Sequence, residues 1–168
     1  MLYLKELNSA DSYEEYIFFK KMAIDVNYEN DYKDISYEDF KNKVIPKRLE
    51  ASTGANLKEG YVPDTYYFLW NNEQIIGLFR IRHYLNEFLK NGPGHIGYGI
   101  LPEFRNQGYA TRGLALAIEK CKNIIPSNEK EIYMSYNLDN QASLCVMKKN
   151  NAYIHHIDEK GYHTRIRL

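Results

Sequence analysis

Residues 94–113 read Gly-His-Ile-Gly-Tyr-Gly-Ile-Leu-Pro-Glu-Phe-Arg-Asn-Gln-Gly-Tyr-Ala-Thr-Arg-Gly, and Leu-Ala-Leu-Ala-Ile-Glu-Lys-Cys follows at 114–121. A short apolar strand runs into a turn at Pro102, and the turn runs into Arg105-x-x-Gly108-x-Ala110. Beyond it, Ala110, Gly113, Leu114, Ala117, Ile118, Cys121, Ile124 and Ile125 recur at i, i+3, i+4 and i+7, one stripe of a helix that Pro126 ends. A helix N-terminus presents unpaired N–H groups and partial positive charge. Gly108 and Ala110 leave room for a diphosphate to reach those groups, and Arg105 adds a cation. Strand, phosphate loop and helix in that order predict an anion-binding crevice.

Nearby, Gly92-Pro93-Gly94-His95-Ile96-Gly97 satisfies G-x-G-x-x-G. A dinucleotide fingerprint must follow a strand and open a helix. These glycines precede a strand, so they predict a turn and no NAD site.

Working outward, residues 2–7 alternate as a first strand. A helix is predicted over 10–28. A second, opened by Ser36 and Asp39 as a capping box, carries Phe40, Val44 and Leu49, with a kink or break at Pro46. Residues 65–70 and 74–84 form a hairpin about Asn71-Asn72-Glu73, and 86–94 form a loop. After the strand 95–101 and the long helix come a strand at 132–136, a helix capped by Asp139 or Asn140 and running to Lys149, and a closing hairpin about Glu159-Lys160-Gly161.

The chain has 168 residues, 22 Lys plus Arg against 22 Asp plus Glu, and two cysteines. One domain spanning 1–168 is expected, able to bury roughly 70% of its unfolded surface without disulfide or metal. Zero net charge argues against nucleic acid or an anionic membrane as partner. No signal peptide and no spanning helix are read. Cys121 and Cys145 are expected as buried thiols, which suits a cytoplasmic, reducing setting.

The Arg105-x-x-Gly108-x-Ala110 loop, the element order and the stretches Gly60-Tyr61-Val62-Pro63, Ile81-Arg82-His83 and Gly94–Tyr98 resemble the GNAT superfamily of N-acetyltransferases, in particular a bacterial subgroup of predicted acetyltransferases. The resemblance implies an α/β fold with a mixed, mostly antiparallel sheet of six to seven strands. About four helices flank the sheet, which is splayed between strands 4 and 5. It implies acetyl-CoA as cofactor, with Ile100 and Leu101 offering the strand edge to pantetheine. Arg105, Asn106, Gln107, Gly108, Tyr109, Ala110 and Thr111 would take the diphosphate. Asn137-x-x-Asn140-x-x-Ser143 resembles another family segment, in which Asn140 contacts the cofactor, caps a helix, or does both.

The implied reaction is acetyl transfer to a primary amine of a small molecule or peptide by direct attack. The alternative is a CoA-binding sensor or interaction module with weak or no turnover. A homodimer is compatible with either. The departures from the family pattern concern proton transfer. Strand 4 carries no Glu, and Met147 stands where the family has a Tyr. The remaining catalytic candidates are His95 and His83, since a histidine suits a base near neutral pH. Arg80 and Arg82 share one strand face and would either hold an acidic acceptor or pair with carboxylates. His155, His156 and His163 lack partners at metal-ligand spacing, so no metal site is expected.

Overall fold

The structure is a computed structural model that describes residues 1–22 and 30–168. Strands β1 (Leu2–Glu6), β2 (Asp64–Asn71), β3 (Gln74–Arg82) and β4 (Ile96–Ile100) form one antiparallel sheet in that order. Strands β5 (Glu131–Tyr136), β6 (Tyr153–Asp158) and β7 (Gly161–Arg167) form a second, in the order β5-β7-β6. The seven strands and their sequence order match the expected architecture.

Side-chain alternation gives the first sheet two apolar faces. Leu69, Phe79, Ile81 and Ile100 meet Leu114, Ala117 and Cys121 of α5 (Tyr109–Ile124), and the same core takes Ile132, Met134 and Ile166 from the second sheet. Met147 and Leu144 of α6 (Gln141–Lys149) complete it. On the opposite face, Phe68, Trp70 and Leu78 pack on Phe18 and Phe19 of α1 (Ser12–Lys21) and on Phe40, Val44 and Ile45.

Two local departures have identifiable causes. Ser36 caps α2 (Tyr37–Asp39) as expected, its Oγ accepting from the Asp39 N–H at 3.1 Å. The chain then widens into a π-helical segment, Phe40–Val44, before α3 (Ile45–Thr53). The Ile45 N–H reaches back to the Phe40 carbonyl. Pro46 supplies no N–H and its ring crowds the carbonyl four residues back, so one wider turn replaces the expected kink. The expected loop 86–94 contains a single turn, α4 (Glu87–Lys90), capped by Asn86, whose side chain accepts from the Leu89 N–H at 2.9 Å. The predicted helix 10–28 is present as α1 over Ser12–Lys21; its part at 23–28 lies outside the described residues.

The two sheets touch at one end only of the described β4 and β5. The His95 N–H donates to the Tyr133 carbonyl at 2.6 Å, and the Tyr133 N–H donates to His95 Nδ1 at 3.0 Å. Gly94 bridges to Met134, and its carbonyl accepts from Arg82 at 2.9 Å. The expected turn at Gly92–Gly94 therefore ends in a clasp. Gly94 is required there twice over: its φ is +67°, and a Cβ would lie 2.1 Å from the Tyr133 carbonyl oxygen.

His95 is fully buried. Burial, with Arg82 and Arg165 adding positive potential, lowers its pKa to about 4. It is neutral in the fold, with Nδ1 as acceptor.

Two outcomes follow from the clasp. Gly94→Ala forces a left-handed conformation on an L-residue and drives a methyl into backbone, a cost of about 2–5 kcal/mol. Calorimetry should show a melting temperature lower by about 5–15 °C; a wild-type value would remove the clasp from its place in the fold. For His95 the unfolded state, with a pKa of ~6.5, binds the proton first. The stability associated with neutral His95 is complete above about pH 6.5 and is lost as pH falls toward 4, by on the order of 3 kcal/mol. His95→Asn keeps an acceptor for Tyr133 without titrating. Urea titrations across this window should show the wild type losing stability relative to the variant; parallel profiles would contradict the assignment.

Candidate functional site

Beyond the clasp, β4 and β5 diverge around a cavity of about 910 Å³. Its lining comes from β4, the loop before α5, the end of β5 and α6. The register of β4 decides which of its backbone groups face the gap. Leu101 donates its N–H to Ile76 at 2.9 Å, and Arg82 donates to the His95 carbonyl at 2.8 Å. Odd-numbered positions therefore face β3, and alternation turns the N–H and C=O of Ile96, Tyr98 and Ile100 to the open edge. This corrects the expected edge pair. Ile100 lines the cavity, whereas Leu101 is buried with its N–H committed to β3; the residue that sequence reasoning missed is Tyr98.

The loop expected to take a diphosphate leads directly into α5. Gly108 is the N-cap of α5 with φ +80°, and a Cβ there would meet nothing within 4 Å. Asn106 is also left-handed, at φ +60°. The first-turn N–H groups at Tyr109–Thr111 have no intrahelical acceptor. Arg105, Asn106, Gly108, Ala110 and Thr111 all line the cavity. Two expected members turn their side chains elsewhere. Gln107 donates to the Glu103 carbonyl at 2.8 Å, and the Tyr109 hydroxyl accepts from Asn71 at 3.2 Å. Only their backbones belong to the loop. Arg105 Nε donates to the Ile100 carbonyl at 3.0 Å, which fixes the guanidinium between the strand end and the loop.

Across the gap, Asn140 both lines the cavity and caps α6, accepting from the Ser143 N–H at 3.0 Å. The Tyr98 hydroxyl lies 3.2 Å from Ser143 Oγ. Tyr136 also lines the cavity; its hydroxyl is buried without a hydrogen-bond partner among the described residues, and burial beside Tyr162 and Tyr98 raises its pKa to about 12. Cys121 is buried, and burial raises its thiol to about 12. Cys145, expected to be buried, is exposed on the cavity side of α6, because Leu144 and Met147 occupy the core-facing positions.

Neither candidate histidine belongs to the described cavity wall. His95 serves the clasp. The His83 ring bonds Thr65 Oγ1 at 2.8 Å, the His83 backbone N–H donates to the Pro63 carbonyl at 2.9 Å, and burial lowers the ring's pKa. Arg80 and Arg82 also find partners within the fold. Arg80 and Arg48 both pair with the buried Asp64, and Arg82 holds the Gly94 carbonyl. Arg105, Lys149 and Lys160 line the cavity, and no Asp or Glu is among its described lining residues. Positive charge around exposed helix-start N–H groups, an open strand edge and an unpartnered buried hydroxyl suit a long anionic ligand bearing amides, as CoA is.

The comparisons agree. No curated protein sequence matches the chain. In fold it is similar to a GNAT-family acetyltransferase from Streptococcus pneumoniae, at 16% identity over 100% of both chains with a TM-score of 0.64. It is also similar to a Vibrio cholerae spermidine N-acetyltransferase SpeG chimera with hSSAT, at 14% identity over 99% and 94% of the chains with a TM-score of 0.62. A third such structure is RimL, a ribosomal L7/L12 alpha-N-protein acetyltransferase in complex with coenzyme A, at 15% identity over 99% and 92% with a TM-score of 0.63. The family model for the acetyltransferase (GNAT) domain matches residues 2–152, so the chain belongs to the GNAT family of acetyl-CoA-dependent acetyltransferases.

Proposed function

We propose that this enzyme transfers acetyl to a primary amine of a small molecule or peptide by direct attack. The observation that carries the reading is the wedge between β4 and β5, open along β4 and closed by the N-terminus of α5. Acetyl-CoA supplies the activated acetyl thioester. Spermidine and a ribosomal-protein N-terminus, the acceptors named for two of the similar structures, are both amines.

Each cavity residue then has a task. Arg105, Asn106, Gly108, Ala110 and Thr111, with the backbone of Gln107 and Tyr109, receive the diphosphate. The Tyr98 and Ile100 edge receives the pantetheine amides as an added strand would be received. Asn140 and Ser143 narrow the opposite wall. Tyr136 holds a proton at Oη, since a hydroxyl with a pKa near 12 stays protonated at neutral pH, and it is the donor we assign to the leaving sulfur. The described lining holds no carboxylate base. The amine therefore loses its proton to water, and holding it against the carbonyl supplies most of the acceleration. A cytoplasmic setting belongs to the same proposal: Cys121 and Cys145 are unpaired thiols, and no described helix is long and apolar enough to cross a membrane.

Calorimetry tests the cofactor assignment. Gly108→Val places a branched side chain at a left-handed position in the open approach, and Arg105→Glu reverses the local charge. Each should weaken acetyl-CoA binding at least tenfold, about 1.4 kcal/mol. Wild-type affinity in a folded Gly108→Val protein would remove the loop from the site.

A further inference from the structure

The β6–β7 hairpin gathers three side chains that the sequence reading kept apart. His156, Asp158 and His163 each offer a ligand atom, and these atoms all lie within 4.8 Å of one another. Two features of the hairpin bring this about. A register shift between Ile154 and His156 moves the strand by one residue, so that His156 stands opposite His163. Without that bulge His155 would hold the position, and His156 would point to the other face. The turn then returns the chain so that Asp158 Oδ2 meets His163 Nε2 at 3.1 Å.

We propose that His156, Asp158 and His163 form a binding site for one borderline divalent cation of the zinc type. Two imidazoles and a carboxylate are the donor set such ions take. With bonds of about 2.0–2.2 Å in tetrahedral geometry, neighbouring ligand atoms stand roughly 3.3 Å apart. Asp158 and His163 already have this separation. The His156 and His163 rings are stacked with centroids 4.2 Å apart, so closing the third bond takes a rotation of His156, an exposed ring that exchanges its 2.8 Å contact with His155 Nδ1 for the ion.

The surroundings are those of a prepared site. Asp158 Oδ1 accepts from the Lys160 N–H at 2.9 Å and the Gly161 N–H at 3.1 Å, which aims Oδ2 at His163. Such support orients metal ligands and strengthens binding. His163 is buried, with its Nε2 facing Asp158 Oδ2. The fourth position is left to solvent. Because Lys160 and His163 also line the wedge, a bound ion would pin the turn that forms one part of the cavity wall.

The test uses the full chain without a polyhistidine tag. Zinc chloride, titrated calorimetrically into the wild type, should bind one ion per chain and raise the melting temperature, whereas magnesium chloride should do neither. His156→Gln and Asp158→Asn leave the buried His163 in place, and Asp158→Asn retains an acceptor for the turn. Each should weaken zinc binding by at least about 10- to 100-fold, since losing even a contact that only supports a ligand costs that much. Cobalt(II) should show visible d–d bands in the wild type that His156→Gln abolishes, a readout independent of any change in folding stability. Absence of saturable zinc binding by the wild type would overturn the proposal. So would undiminished binding in the folded His156→Gln, Asp158→Asn double variant, which would put the ion elsewhere.

Discussion

Everything in this molecule that faces a ligand depends on how two strands meet at Gly94–His95 and Tyr133–Met134. Two hydrogen bonds, one from each backbone, join β4 to β5 there. The ladder does not continue along the described strands. Backbone groups left unpaired in a closed interior are costly, and here the gap between the strands is an open cavity instead. The clasp fixes the apex of the wedge, and the apolar core under α5 fixes its floor. A single imidazole stands in for a backbone acceptor at the apex, a role this ring fills only while it is uncharged.

The same arrangement explains why the helix start matters. The cavity runs from the apex to the N-terminus of α5, where Gly108 keeps a left-handed turn and leaves its approach clear. Arg105 spans from that loop to the last carbonyl of β4. In the proposed reading, strand edge and helix dipole act on opposite ends of one elongated ligand, and the protein's net neutrality is compatible with a locally cationic wall. In the proposed mechanism proton transfer falls to Tyr136 and solvent, because no Asp or Glu is among the described lining residues.

The sequence carried the parts governed by local rules. The α5 stripe, the room left at Gly108, the caps at Ser36 and Asn140 and the glycine turn before β4 all depend on residues within a few positions of one another, and they appear where expected. What escaped depends on partners far along the chain. Whether Tyr98 or Leu101 faces the gap is set by the register with Ile76. His95 looked like a base because nothing within its own strand reveals the Tyr133 N–H, 38 residues away. Asp158 and the two histidines converge only through a bulge. The turn at α4 is too short for periodicity to show, and the wide turn ahead of Pro46 is a compromise no propensity scale encodes.

Amide hydrogen exchange with and without CoA tests the central claim most directly, because it reads the backbone itself. If the wedge receives the cofactor, CoA should slow exchange at the Tyr98 and Ile100 amides and at the first-turn amides of α5, while Leu101, already bonded to Ile76, should change little. Protection confined to other segments, with the β4 edge and the α5 start unaltered, would contradict the account.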